Sequence, residues 1–296
     1  MEAGGAAPSA VSIHPQTRIG AVRLAIADLD RTAAFYERAI GLAVVDRSPE
    51  LVRLGASGDG HPLVELTARP GASPGPRRST GLFHMAILVP GRLDLALALR
   101  RLADAGWRLS GASDHLVSEA LYLSDPEDNG IEIYRDRPRD EWRYSDGELQ
   151  MATLPLDLDR LAAELGGAED GARGMRAGTR IGHVHLKVAD LGEAEAFYHR
   201  VLGFQITVRG YPGALFLAAG GYHHHLGVNI WAGAGAPPPP PGSRGLLWFE
   251  VELPGEQELE GVERRLRAAG AEPRREADGL HVLDPSGNGV LLRASE

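Results

Sequence analysis

The chain has 296 residues, 43% of them hydrophobic and 24% charged, which suffices for one or two ordinary domains with a substantial core. These values exclude a disordered or fibrous protein, and no apolar run approaches the roughly 18 residues of a membrane span. The 31 basic and 40 acidic residues leave a net charge of -9, which argues against binding a nucleic-acid backbone. We therefore expect neither nucleic acid nor membrane as a partner.

Residues 1–17 are small and polar, and they lack a charged segment followed by an apolar one. This pattern predicts a flexible tail and not a signal peptide. A cytoplasmic location is the resulting expectation.

The rest of the chain contains an internal repeat. Residues 19–29 resemble residues 181–191, an offset of 162, and a Phe-Tyr pair followed by a glycine comes after each segment, at 35–41 and 197–203. An Asp-Pro-x-x-Asn-Gly turn recurs at 125–130 and 284–289, after alternating strands at 81–90 and 245–254. The two halves are therefore duplicates, and each half contains two units.

Each unit reads as a strand, an amphipathic helix and then shorter strands broken by Gly and Pro. We place the units at 18–68, 81–136, 180–233 and 245–295. In unit two the helix is expected at 92–105 and the closing strand at 130–134. The pattern predicts an N-terminal domain at 18–136 and a C-terminal domain at 180–296, joined by a linker at 137–179 with a short helix near 157–165.

Cysteine is absent, and this restricts the metal chemistry open to the chain. Disulfides, thiolate-bound zinc and iron–sulfur clusters are excluded, so a metal would have to be held by His, Asp or Glu. Seven of the eleven histidines form two groups, one on each side of the midpoint of the chain: His84 and His115, then His183, His185, His223, His224 and His225.

The four repeated units resemble the vicinal oxygen chelate superfamily, which includes glyoxalase, bleomycin resistance and extradiol dioxygenase proteins. Several longer motifs are more narrowly similar to its catechol-2,3-dioxygenase-type, two-domain bacterial members. These motifs are Gly81-Leu-Phe-His84, the segment 113–126, Ile131-Glu132-Ile-Tyr and the segment 221–231. The resemblance implies an α+β fold in which four βαβββ modules form two open, cup-shaped barrels, with a divalent metal bound by residues of the first and last strands of the modules.

The ligand positions of the four units can then be compared. The first strands carry Ala21, His84, His183 and Trp248 in units one to four. On the last strand, unit two offers Glu132, whereas unit four has Leu291 and residues 221–231 of unit three contain no acid.

Only the middle units therefore carry ligands. His84, His183 and Glu132 would form the facial triad of non-haem iron(II) oxygenases. Because neither half holds all three, a complete site requires unit two to pair with unit three. The outer units would form a metal-free cup in which Ala21 and Trp248 fill the ligand positions.

The resemblance also implies residues that handle protons and substrate. We expect His224 to be the proton shuttle, and His115 and Tyr122 to bind the substrate oxygens. His185 shares a strand face with His183 and would be a donor behind the ligands or a substrate contact. If residues 221–231 form one strand, His223 and His225 would point to the opposite face from His224, and a slip of one residue would instead present His225 and Asn229.

These features predict a ring-cleaving extradiol dioxygenase that uses Fe(II), or Mn(II) as the alternative metal, and O2 on a catechol or hydroquinone-like aromatic diol. A homo-oligomer is compatible with the sequence. Two alternatives remain: a glyoxalase-type metal-dependent isomerase or lyase, and a member of the fold that binds a small molecule without catalysis. The isomerase would take a carboxylate from both partner units, and the binding protein would need neither a triad nor a proton shuttle.

Overall fold

The computed structural model describes residues 11–145, 148–166 and 174–295. These residues form two large mixed β-sheets with helices packed along them and one two-stranded sheet in the connector, so the predicted α+β fold of four modules is confirmed. Within these ranges, the helices are too short or too polar to cross a membrane.

The elements of the first half follow the predicted units. Unit one contains β1 (Arg18–Ile26), α1 (Leu29–Phe35), β2 (Ala43–Arg47), β3 (Leu51–Gly55) and β4 (Pro62–Ala68). Unit two contains β5 (Gly81–Leu88), α2 (Arg92–Asp104), β6 (Gly111–Asp114), β7 (Ser118–Ser124) and β8 (Gly130–Asp136). The connector carries β9 (Tyr144–Ser145), β10 (Glu148–Leu149), β11 (Leu154–Pro155) and α3 (Leu158–Ala162).

The second half repeats this order. Unit three contains β12 (Arg180–Lys187), α4 (Leu191–Glu195), β13 (Gln205–Val208), β14 (Ala214–Ala218) and β15 (Leu226–Asn229). Unit four contains β16 (Gly245–Pro254), α5 (Glu256–Ala268), β17 (Arg274–Glu276), β18 (Gly279–Leu283) and β19 (Gly289–Ser295). Short π-helices extend α1 over Tyr36–Ile40 and α4 over Ala196–Leu202, and 3₁₀ turns occupy Arg139–Glu141 and Ala163–Leu165.

The sheets join units from opposite halves of the chain. One sheet has the order β17-β18-β19-β16-β1-β4-β3-β2, and the other has the order β11-β6-β7-β8-β5-β12-β15-β14-β13. The central pairs, β1 with β16 and β5 with β12, are antiparallel. Unit one therefore pairs with unit four, and unit two pairs with unit three, as the ligand count predicted. We call these the outer and the middle sheet.

The repeated Ala-Asp-Leu segments begin helices. Asp28 and Asp190 are the N-caps of α1 and α4, and each side chain accepts a hydrogen bond from a backbone N–H of the first turn. The π-helical extensions end at Gly41 and Gly203, where φ is 91° and 98°. Glycine adopts this left-handed conformation without steric cost, which explains its place in the repeat.

The repeated Phe-Tyr pairs connect the two sheets. The Tyr36 hydroxyl of unit one donates to Asp125 in the turn of unit two at 3.1 Å. Tyr198 of unit three donates in the same way to Asp284 of unit four at 2.9 Å. All four side chains are buried or nearly so, and each half of the chain is thereby tied across both sheets.

One face of each sheet is buried in a common core. Val22 and Leu24 of β1, Met85 of β5 and Val184 of β12 belong to a single hydrophobic cluster. Because side chains alternate along a strand, the residues between them face the other side of each sheet. The cups lie on these other sides, away from the common core.

The structure differs from the expected flexible tail near its end. Residues 1–10 lie outside the described residues, but Ile13 is buried and its N–H donates to the carbonyl of Gly203 at 2.9 Å. This hydrogen bond and the burial of Ile13 in the common core hold the end of the tail against unit three, so this part of the tail is not loose. In the linker, the expected short helix is present as α3, with Asp157 as its N-cap.

Gly182 on β12 is required by close packing. A Cβ atom at this position would lie 1.8 Å from the Tyr134 hydroxyl oxygen. We expect Gly182→Ala to lower the free energy of unfolding by roughly 1–3 kcal/mol, the usual cost of overpacking. Urea unfolding of the purified variant measures this loss.

Gly111→Ala on β6 is the matched control, because nothing lies within 4 Å of the added carbon. Its free energy of unfolding should stay within about 0.5 kcal/mol of wild type. Equal losses for the two variants would contradict the steric explanation.

Candidate metal centre

Three adjacent strands of the middle sheet bring His84, Glu132 and His183 together. On the central strand β5, Ala86 pairs with Glu132 of β8 on one side and with His183 of β12 on the other. His84 stands two residues before Ala86 and therefore on the same face. The small, fully buried side chain of Ala86 leaves the space between the three larger side chains open.

The donor atoms of these residues converge. The Nε2 atoms of His84 and His183 each lie 3.1 Å from the same oxygen, Oε2 of Glu132. All three side chains are buried, and one atom from each lies within 4.8 Å of the others. Two imidazoles and one carboxylate form a donor set suited to a divalent transition metal, so these residues fit such an ion.

The surroundings favour the protonation states that bind a metal. Burial lowers the pKa of His183 to about 4 despite the neighbouring carboxylate, so the imidazole is neutral at physiological pH. Burial tends to raise the pKa of Glu132, but His183 and His84 outweigh it and hold that pKa well below its usual range. Glu132 is therefore ionised, as a ligand must be.

A cavity of about 240 Å³ opens above these three residues. Aromatic rings form much of its wall: Phe83, Tyr122, Tyr211, Phe216 and Trp231. Phe83 and Trp231 are 41% and 46% exposed, and their ring centroids are 5.2 Å apart. Such a cavity suits a flat ring whose polar edge points towards the triad.

His115 and Tyr122 form a hydrogen-bonded pair in the wall of the cavity. His115 Nδ1 donates to the carbonyl of Ala152 at 2.7 Å, because a carbonyl can only accept. The other nitrogen, Nε2, then accepts from the Tyr122 hydroxyl at 2.7 Å. Tyr122 pairs directly with Glu132 across β7 and β8, so the hairpin places it beside the triad.

Burial and the Glu132 carboxylate both act on Tyr122. Together they raise the pKa of Tyr122 well above its usual value, with burial as the larger cause. The hydroxyl therefore keeps its proton and is a donor at this site.

His185 and His224 also line the cavity. The His224 ring centroid is 4.1 Å from that of His183, and His185 is paired with His84 across the central strands. Burial lowers the pKa of both His185 and His224 well below the usual range, and nearby histidines lower it further. Both rings are therefore neutral and can accept or donate a hydrogen bond.

The histidine run differs from the expected strand. Strand β15 begins at Leu226, so His223, His224 and His225 lie in the loop before it and do not follow strand alternation. His223 does not point away from His224: their Nδ1 atoms are 2.8 Å apart.

The alternative substrate contacts, His225 and Asn229, are not brought to the cavity. His225 Nδ1 accepts from the backbone N–H of Ala219 at 3.1 Å, and Asn229 Oδ1 accepts from that of Trp231 at 3.1 Å. Neither side chain is among those that line the cavity. The structure thus brings His224, and not His225 or Asn229, to the cavity wall.

Several residues that line the cavity could not be identified as site residues from the sequence. Met151, Ala152 and Thr153 come from the connector, which shows no periodic pattern that would assign it to a site. Phe83 precedes His84 and should face the other side of the sheet, but a break in register between β5 and β12 turns it towards the cavity. Phe216 on β14 and Tyr211 just before that strand also had no sequence signal.

The outer sheet contains a carboxylate at the position of Glu132. Glu65 on β4 pairs with Arg23 of β1 in the same register in which Glu132 pairs with Ala86. Here the carboxylate is bound by arginines, with Arg23 at 3.7 Å and Arg53 at 3.4 Å. Glu65 lies opposite the residue two positions after Ala21, as Glu132 lies opposite the residue two positions after His84. A comparison of the last strands of units one and two could therefore have identified Glu65 from the sequence.

The remaining ligand positions of the outer sheet are apolar. Ala21, Trp248 and Leu291 are buried against one another in a small cluster. Among the described residues of this sheet, the ligand positions thus bring no histidine to Glu65.

Comparison with known proteins agrees with this geometry. The chain is 46% identical over 278 residues to a catechol-2,3-dioxygenase of Bacillus subtilis (strain 168), covering 93% of this chain and 96% of that protein. A crystal structure from Bacillus subtilis subsp. subtilis str. 168 superposes with a TM-score of 0.65 at 12% identity, covering 96% of this chain and 86% of the other. Glyoxalase I from Zea mays has a TM-score of 0.54 at 16% identity, covering 94% and 92%.

The family model described as "Glyoxalase/Bleomycin resistance protein/Dioxygenase superfamily" matches residues 18–133 and 180–292. Both matches lie within the predicted domains, and together they cover most of the chain. The chain therefore belongs to the glyoxalase/bleomycin resistance protein/dioxygenase superfamily.

Proposed function

We propose that this protein is an extradiol ring-cleaving dioxygenase that acts on a catecholic aromatic and O2. The observation that carries the proposal is the convergence of His84, Glu132 and His183 beneath a cavity lined by His115, Tyr122 and His224. The 46% identity to a catechol-2,3-dioxygenase over most of both chains supports the same activity.

The proposed metal is Fe(II), with Mn(II) as the alternative. His84, His183 and Glu132 would hold it, and when bound it would supply open positions for the two catechol oxygens and for O2. The reaction would cleave a ring C–C bond beside the diol and incorporate both atoms of O2 into the product.

The other side chains have roles that follow from their positions. The Tyr122 hydroxyl and His115, held by the carbonyl of Ala152, would bind the substrate oxygens by exchanging their mutual hydrogen bond for hydrogen bonds to the diol. His224 would take up and return a proton at its free ring nitrogen, a role that suits imidazole. His185 contacts both Phe83 and Trp231, at ring-centroid distances of 5.2 and 5.4 Å, and would position the aromatic ring.

The register of unit three argues against the isomerase alternative. Gly227 pairs with His185, two residues after His183, and so occupies the position that Glu132 occupies in unit two. A Cβ at Gly227 would lie 2.9 Å from the His185 ring, so the position also lacks room for a carboxylate side chain. The second carboxylate that an isomerase would use is thus missing from this position.

The cytoplasmic location, the absence of nucleic-acid and membrane partners, the homo-oligomer, and the domain boundaries at 136 and 180 stay predictions.

Purified protein loaded anaerobically with Fe(II) tests the activity. We expect an oxygen electrode to record O2 uptake with at least one member of a small panel of catechols and hydroquinones, with one O2 consumed per ring-opened product. Metal analysis of the protein as isolated accompanies the assay. No uptake with any diol, together with stoichiometric zinc or nickel, would favour the isomerase.

Glu132→Gln tests the metal site. Loss of the charged ligand should weaken Mn(II) or anaerobic Fe(II) binding by more than about 100-fold, because even outer partners of a metal ligand contribute about 10–100-fold. Equilibrium dialysis measures the affinity. Glu65→Gln removes the matching carboxylate of the outer sheet and should keep wild-type affinity; equal weakening in both variants would place the metal elsewhere.

His224→Phe tests the proton shuttle. The variant should bind the metal as tightly as wild type but lose about 100- to 10,000-fold in kcat, the range for a general acid–base group. His61→Phe, at an exposed position outside the cavity, is the control and should keep wild-type kcat. Full turnover by His224→Phe would exclude the role.

A further inference from the structure

A buried chain of hydrogen bonds leads from His224 in the cavity wall to Asp136. His224 Nδ1 lies 2.8 Å from His223 Nδ1, and His223 Nε2 lies 2.9 Å from Oδ1 of Asp136. His223 is fully buried, and His224 is 6% exposed. Both distances lie within the usual range for hydrogen bonds donated by nitrogen, so the order of the three groups is well defined.

Asp136 comes from the strand that carries the metal ligand. Glu132, Tyr134 and Asp136 alternate along β8 and therefore share one face. His223 reaches the same place from the loop between β14 and β15, in unit three. The chain thus crosses between the two units that together form the site.

The direction of each hydrogen bond around Asp136 follows from the fact that a carboxylate accepts but does not donate. An ionised carboxylate only accepts, so the Tyr222 hydroxyl donates to Asp136, at 3.1 Å to Oδ1 and 3.0 Å to Oδ2. Tyr222 has no second proton, and it therefore accepts from the Tyr134 hydroxyl at 2.7 Å. Burial raises the pKa of Tyr134 and Tyr222 well above the usual range, so both hydroxyls keep their protons.

The same reasoning fixes both histidine tautomers. His223 must donate to Asp136 through Nε2, and when the His223 ring is neutral its Nδ1 is then bare. A bare Nδ1 can only accept, so the proton between the two histidines belongs to Nδ1 of His224. The remaining nitrogen of His224, Nε2, consequently carries no proton.

We propose that Asp136 and His223 are positioning residues that hold His224 in the tautomer with a bare, basic Nε2. This inference rests on the proposed function in one respect, because it explains how His224 would be ready to accept a proton from a bound diol. Asp136 acts through His223 and touches neither the cavity nor the triad. In many enzymes a carboxylate orients a catalytic histidine directly. Here the imidazole of His223 stands between the carboxylate of Asp136 and the base, His224.

The tautomer can be read directly in the metal-free protein. In ¹⁵N-histidine-labelled protein, NMR distinguishes protonated from bare ring nitrogens, and the His224 signals are assigned by their loss in His224→Phe. We expect wild type to show a protonated Nδ1 and a bare Nε2 on His224. The opposite tautomer in wild type would overturn the proposal without any mutation.

Asp136→Asn is the decisive variant, because an amide can donate where the carboxylate could only accept. If the amide donates to His223 Nε2, both tautomers reverse, and His224 Nε2 becomes protonated. We expect this change in the NMR spectrum and a fall in kcat of about 100-fold or more with little change in KM, since a wrong tautomer behind a catalytic base costs up to about 10,000-fold.

Two further variants separate positioning from structural support. Asp136→Glu keeps an accepting carboxylate and should retain the wild-type tautomer and most of kcat. Asp140→Asn makes the same charge change at an exposed position nearby and should change neither. An unchanged tautomer in Asp136→Asn, or equal loss of kcat in Asp136→Asn and Asp136→Glu, would overturn the proposal.

The NMR tautomer and the kcat value distinguish a failure of this inference from a failure of the proposed function. A reversed tautomer in Asp136→Asn supports the positioning role even if no diol leads to O2 uptake. In that case the dioxygenase proposal alone would fail.

Discussion

The antiparallel pairing of β5 with β12 is the constraint on which the site depends. It sets His84 opposite His185 and Ala86 opposite His183, while β8 adds Glu132 on the far side of Ala86. A slip of one residue would turn one of the two histidines to the buried core face and separate the candidate ligands. The candidate metal site, the cavity above it and the chain of histidines all follow from this one register.

The same architecture gives different chemistry in the outer sheet. β1 and β16 pair as β5 and β12 do, and Glu65 occupies the position of Glu132. Two arginines, Arg23 and Arg53, neutralise that carboxylate, and apolar side chains fill the histidine positions. The buried face of the outer sheet completes the common core, and the two sheets differ in their side chains and not in their fold.

The convergence of His84, Glu132 and His183 could be predicted because strand alternation is a strong local rule. His84 and His183 stand at matching places in repeated strands, and Glu132 follows a turn with a clear sequence signature. The same rule failed at His223 and His225, because these residues lie in a loop whose backbone does not alternate. There the hydrogen bonds to His224 and to the backbone, which no pattern of residues encodes, decide where each ring points.

By itself, the sequence determined the fourfold repeat, the α+β fold and three residues that together suit a metal. The count of candidate ligands also predicted that units two and three pair, because neither half of the chain contains all three residues. Only the tertiary structure decided what surrounds the triad: the connector residues Met151 to Thr153, the ring of Phe83 turned by a break in register, and Asp136 behind His223. These depend on loop paths and contacts between distant segments, whereas periodicity reports only which face of an element is buried.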